Sequence, residues 1–360
     1  MLYYFIPIYA FLVYFIGYLI NPKGVYGTLW NILSLLPIIL FLSYIAIFRD
    51  ISIGTDTENY EKIFLQSEEG IEFSYIFLSD FVKSIGGDFR LFIFFVFLLA
   101  FCSKLFSFFK ASYSLHLSLL IYSGMWYLVY DMNGIRQGMA LGFICISYYF
   151  IFNSKIIYSF IFTCIASCFH YTAIIFIPFL LIHKIKCSKK ILYLILLFSL
   201  VLGGINFSEV IISFLSNFQY LQLRLIDRVL SYQADELFNT NVFYSFKTVS
   251  RLFIIFIVIF FIDKINADKQ YKNIVLWGML INFFIYCIFS QYEIIGVRLS
   301  LYYRLSEIFF FSMLPLAFKN NISRVIVVGL LCLYVSLNVY QILSLPNNNL
   351  YPYKSFISII

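Results

Sequence analysis

LFIFFVFLLAF, residues 91–101, contains no polar side chain. A strand crossing a membrane in a β-barrel alternates apolar and polar residues over about ten positions, because one face meets lipid and the other the lumen. This run shows no alternation, so it reads as a helix. Its apolar flanks extend it to about 89–109, the length a helix needs to cross roughly 30 Å of hydrocarbon.

Similar runs recur along the chain. Residues are 62% hydrophobic and 12% charged, with 45 Phe and 30 Tyr among 360, a composition outside that of ordinary soluble domains. The expected fold is all-α: one polytopic integral membrane domain, 1–360, with about twelve transmembrane helices. The segments fall near 2–20, 29–48, 89–109, 116–131, 136–152, 156–169, 171–183, 190–204, 249–263, 271–290, 298–317 and 323–344. The first lacks a basic leader and a small-residue cleavage site, so it is read as a retained helix.

Charge gives an orientation, because cytoplasmic loops collect Lys and Arg. With residue 1 outside, one side holds Lys23, Lys104, Lys110, Lys155, Lys184, Lys186, Lys189, Lys190, Lys264, Lys269, Lys272, Lys319 and Arg324 against Asp263 and Asp268 alone. HKIKCSKK (183–190) is the clearest cytoplasmic loop. The opposite side holds the remaining acids with Arg49, Arg90, Arg136, Arg224, Arg228, Arg251, Arg298 and Arg304. Topology alone does not call for outer arginines. Planar, permanently charged forks suit phosphate, while pairing with outer-loop acids is the plainer account for Arg49, Arg90, Arg224 and Arg228. The net charge of +7 therefore implies no nucleic-acid partner.

Two outer segments are too long for turns: 49–88, with nine acids and the sequence RDISIGTDTENYEKIF, and 205–248. Within the second, FSEVIISFLSNFQYLQL (207–223) suits a helix lying in the interface or a partial re-entrant segment. The seven cysteines are scattered. Cys164 and Cys168 are one helical turn apart but lack companion ligands, so no metal and no structural disulfide is expected.

Four motifs concentrate chemistry on the outer side. In YDMNGIRQGMALGF (130–143), Asn133 and Gly134 mark a turn, and Arg136 falls in the first turn of the next helix. Free amides and the positive helix end there suit an anion, although an interfacial arginine can also simply snorkel to headgroups. Gly138 and Gly142 allow close helix approach. In RLSLYYRLSEIFFF (298–311), Arg298 marks the outer end of a helix, with Tyr302 one turn below. Arg304 lies about 9 Å deeper at 1.5 Å per residue, with Glu307 as a possible self-neutralising partner. His116 and His183 map to cytoplasmic ends; His170, in SCFHYTAIIFIP, shares its face with Arg136 and Arg298. It can accept a proton from a hydroxyl, or serve only structurally. Asp56 and Glu58, in GTDTENY, can orient a sugar hydroxyl or hold a cation, or simply be solvated.

In this order the motifs resemble those of the EpsG-like Wzy family of polysaccharide polymerases, over about 49–315. The resemblance implies a GT-C-like enzyme of the bacterial cytoplasmic (inner) membrane, with its active site facing the periplasm or exterior. Such an enzyme transfers a glycan from undecaprenyl pyrophosphate to the non-reducing end of another lipid-linked repeat unit. It also implies no cofactor, a possible chain-length regulator as membrane partner, and site roles for Arg136, His170, Arg298 and, at one remove, Asp56. Arg304 and Tyr302 fit the surroundings of the last motif. The expected catalytic base is His170 or Asp56, the pyrophosphate ligands are Arg136, Arg298 and Arg304, and Tyr302 is a substrate contact. The rival readings are a lipid-linked oligosaccharide flippase and another outward-acting transferase, such as a ligase or a glucosyl- or acetyltransferase. A flippase would more readily show internal repeats and broken helices in matching halves.

Overall fold

The computed structural model describes residues 2–20, 24–66, 71–217, 230–231, 241–345 and 349–356. Within them every named element is helical, as lipid requires of a chain that must satisfy its own backbone. The central pair is α5 (Phe89–Ala111) and α7 (Ile135–Phe152). Asp88 starts α5 by accepting the Leu91 amide at 3.0 Å, an N-cap in the usual sense. Gly142 lets the two helices approach closely: a Cβ there would sit 2.9 Å from the Ala100 carbonyl oxygen. On its other side α7 meets α8 (Ile156–Phe169), where the Ser147 hydroxyl lies 2.6 Å from Ser159 and 3.0 Å from Thr163. Small hydroxylated residues pair helices in this way where no water is available.

The expected twelve spans are not what the described residues show. Six helices are long and apolar enough to cross a membrane: Leu2–Ile20, Leu29–Ile47, Phe89–Ala111, Ile135–Phe152, Lys269–Ile288 and Asn321–Ser344. A seventh is added if Lys189–Gly204 (α10) and Phe207–Ser216 (α11), bent by 72°, count as one broken span. The other segments are short or interrupted. Residues 116–131 become α6 (Leu115–Tyr122) and a π-helical segment, Ser123–Asp131. After α12 (Phe246–Phe261) and α13 (Lys269–Ile288), residues 298–317 divide at Leu305 between α14 (Glu293–Arg304) and α15 (Ser306–Met313). Apolar length read along a chain does not reveal where a helix breaks, because a break buried among neighbouring helices keeps the same composition.

The structure adds detail to one segment and corrects the placement of one lysine. The segment 49–88 is largely helical: α3 (Thr57–Gln66) and α4 (Phe73–Ser84) bury Tyr60, Ile63, Phe64, Tyr75, Leu78 and Val82 against Phe89, Phe92 and Ile93 of α5. These residues recur at helical spacing, so the two short helices form a cap over one end of the bundle. Lys104, expected on the lysine-rich side, is instead buried inside α5, its Nζ 2.5 Å from Asp131 Oδ1. Asp131 also accepts from the Tyr122 hydroxyl at 2.7 Å. The two charges were assigned to opposite faces, yet each neutralises the other in the interior. Of the second long segment, α11 is described, whereas 218–223 and Arg224 and Arg228 lie outside the described residues.

The bundle ends differ chemically. At one, Lys189 pairs with Asp263 at 3.0 Å, and Asn273 and Trp277 donate to the carbonyls of His183 and Ile185 at 2.8 and 2.6 Å. At the other, the α3–α4 cap meets the turn before α7.

Candidate active site

The turn 132–134 carries Arg136 into place. Asn133 Oδ1 accepts the Asp56 amide at 2.9 Å, and its Nδ2 donates to Thr55 Oγ1 at 2.8 Å. Gly54 makes this clasp possible. Its φ is +88°, and a Cβ would lie 2.9 Å from the Met132 carbonyl oxygen, so a side chain would be both strained and obstructed. GTDTENY and MNGIRQG, far apart in sequence, thus form one unit. Tyr60, the last residue of the first motif, lies beneath the Arg136 guanidinium, 5.7 Å from ring centre to Cζ.

Glu72 joins the rest. It is the residue before α4, it is buried, and its two oxygens are divided between two partners. Oε2 accepts from Arg136 Nη1, and Oε1 lies 3.0 Å from His170 Nδ1. The backbone geometry that places His170 is the extended break between α8 and the 3₁₀ turn Tyr171–Phe176, where its φ is −154° and its ψ 110°. The following Thr172 hydroxyl lies 2.7 Å from that of Tyr302 on α14, tying the histidine segment to the helix that carries Arg298.

Electrostatics set the protonation states. Burial pushes the Glu72 carboxyl up, but the His170 hydrogen bond and the Arg136 charge outweigh it and hold the group down at about 2. Burial pushes His170 down; its bond to Glu72 raises it, and the Arg136 and Arg298 charges lower it again, for a net downward shift. At neutral pH the pair is therefore a carboxylate and a neutral imidazole. The carboxylate has no proton to give, so His170 Nδ1–H is the donor and Nε2 carries the lone pair. That Nε2 is buried and has no protein partner, and the same holds for Arg136 Nε. A buried acceptor left open is costly, which marks the place where a hydroxyl donor fits.

A family model for the EpsG family matches residues 32–355. The chain belongs to the EpsG family. EpsG-like proteins are Wzy-type polymerases, and the matched span of this EpsG-family protein takes in Glu72, Arg136, His170 and Arg298. No curated protein and no solved structure matches the chain.

In this EpsG-family chain the sequence-predicted residues divide into groups. Arg136 and His170 meet through Glu72, and Arg298 lies within electrostatic reach of His170. Asp56 is at the clasp, its carboxylate accepting from the Thr55 hydroxyl at 3.2 Å; among the described residues it makes no contact with His170. Arg304 is paired to Glu307, Nε to Oε1 at 3.1 Å. Tyr302, expected to touch substrate, is 0% exposed, and its hydroxyl lies on that of Thr172, a bond that ties the two elements together. Glu72 was missed. It is one of nine acids in its segment and stands in no motif; its position just ahead of an amphipathic helix was the sole local signal.

Proposed function

We propose that this protein is a polysaccharide polymerase whose base is His170, oriented by Glu72. The observation carrying this reading is the Glu72–His170 pair with its open Nε2, set beside Arg136. A carboxylate that fixes the tautomer of a neutral imidazole makes the far nitrogen a general base. The acceptor sugar hydroxyl gives its proton to His170 Nε2 while its oxygen bonds the donor's anomeric carbon. The bond from that carbon to the diphosphate oxygen breaks with inversion. The departing lipid diphosphate gains one negative charge as His170 gains one positive, and Arg136 and Arg298 stabilise the former. Preorganised charge of this kind is often the largest catalytic contribution, with one donor contributing about 3 kcal/mol. No protein nucleophile is needed.

The donor is read as a glycan on undecaprenyl pyrophosphate, the acceptor as a second lipid-linked repeat unit, and the site end of the bundle as extracytoplasmic. The activated glycosyl–diphosphate bond supplies the driving force without a nucleotide. An all-helical membrane bundle with its polar site at one end fits a GT-C-like layout. Purified protein incubated with lipid-linked repeat units should give a ladder of lengthening products; translocation of the units across a vesicle without lengthening would instead identify a flippase. In the same assay Arg136→Lys should be nearly inactive, since an ammonium cannot reproduce the guanidinium fork.

A further inference from the structure

A second cationic cluster lies deeper in the bundle, apart from the Glu72–His170 pair. Arg251 on α12 is 7% exposed. Its guanidinium donates from Nη1 to Asn282 Oδ1 on α13 at 2.9 Å and stacks on Tyr286, 3.8 Å from the ring centre. Both partners are neutral. The nearby carboxylate, Glu307, is engaged by Arg304 through Nε, and Arg251 and Arg304 are close enough to repel each other.

Among the described residues, two permanent cations therefore share one anion, Glu307, in the interior of a membrane bundle. A surplus buried charge is expensive unless a counter-charge enters. The Arg304 side chain is 20% exposed, and its terminal nitrogens make no hydrogen bond among the described residues; its guanidinium lies 5.5 Å from the Trp126 ring centre. Tyr130 brings a hydroxyl within electrostatic reach of Arg251, Arg298 and Arg304. Guanidinium forks from two helices, a phenol and an aromatic wall are the donor set for phosphate oxygens.

We infer that Arg251, Arg304 and Tyr130 form a phosphate-binding subsite for a diphosphate group, with Asn282 holding the Arg251 fork in place. The subsite stands on charge and geometry alone. That its occupant is the diphosphate of the second lipid-linked substrate rests on the polymerase reading: the reaction has two such lipids, and the departing one belongs beside His170. Arg304 lies about 9 Å along α14 from Arg298 at 1.5 Å per residue, which separates the two positions.

The test uses the full chain in lipid nanodiscs, titrated with farnesyl diphosphate, inorganic pyrophosphate and farnesol, with elongation of a lipid-linked glycan measured on the same preparation. Wild type should bind both diphosphates and not farnesol. Arg251→Gln should bind about tenfold or more weakly, the loss expected for a charge-assisted hydrogen bond. Asn282→Asp supplies the missing anion internally; it should raise the unliganded melting temperature and weaken diphosphate binding, and it keeps the test open if Arg251→Gln does not fold. Stronger binding of farnesyl diphosphate than of pyrophosphate supports a lipid occupant, and equal binding supports the subsite with a free anion as occupant. Wild-type affinity in both variants, or in Asn282→Asp if it alone folds, overturns the subsite and leaves the polymerase reading standing. Weakened binding in a preparation whose wild type never elongates glycan sustains the subsite and overturns that reading.

Discussion

His170 Nδ1 stands 3.0 Å from Glu72 Oε1 across a sequence separation of 98 residues, while the other carboxylate oxygen holds Arg136. One buried acid thus holds both a histidine and an arginine, the proposed base and one proposed diphosphate ligand. Removing the acid should disturb both functions together.

Glu72→Gln is the sharpest test of that statement. An amide can donate to Nδ1, which would move the imidazole proton to Nε2 and leave no lone pair for the acceptor hydroxyl. Elongation should fall by about 10²-fold or more, within the range of general-base loss. The melting temperature should also drop, because Arg136 would lose its counter-charge. Near-normal ladder synthesis would reject Glu72 as the orienting group.

The pH profile follows from the direction of the His170 shift. Because burial lowers it, the base is neutral over the whole neutral range, and the acid limb along which elongation falls should lie only below the ordinary histidine value of about 6.5. Stability has the same sign. Below about 6.5 the unfolded chain takes up a proton that folded His170 resists, so stability declines as pH falls. The depressed Glu72 contributes stability present above its unfolded value of about 4.3, lost as pH falls toward about 2. Initial rates and melting temperatures between pH 4 and 8, with buffer ions held constant, check both signs. An acid limb above the ordinary histidine value would contradict the assignment.

Tyr302→Phe removes the bond to Thr172 and leaves the buried ring in place. The expected loss is about 1 kcal/mol of stability, with elongation reduced by no more than about tenfold, the equivalent of 1.4 kcal/mol. A raised KM with unchanged melting temperature would restore Tyr302 as a substrate contact.

Lys104→Met and Asp131→Asn each strand a charge in the interior, and each should destabilise by about 3–5 kcal/mol. The double variant Lys104→Met/Asp131→Asn should recover much of that loss, as paired buried ions replaced together often do. Thermal unfolding of the four proteins in one detergent measures the coupling. Because Asp131 ends the π-helical segment just before the turn to Arg136, the single variants should also lower elongation.

Much of this was legible in the residues. LFIFFVFLLAF excluded a barrel, the RQG and FH motifs marked Arg136 and His170, and Arg304 stood one turn from Glu307, to which it is paired. Helix number was less legible, since Leu305 looks no different from its apolar neighbours although a helix breaks there. Lys104 reads as one more cation of the lysine-rich side because a lone charge near the end of an apolar run looks like a flank; its partner is 27 residues away, beyond any local pattern.

Composition and periodicity by themselves determined that the chain is helical and built for a membrane, because lipid leaves a backbone few ways to satisfy its hydrogen bonds. Local motifs marked which cations and which histidine were candidates. Only the tertiary structure selected Glu72 from nine acids and left Arg251 with neutral partners. Those outcomes depend on which helices pack together, and burial and pairing are properties of that packing and not of any segment.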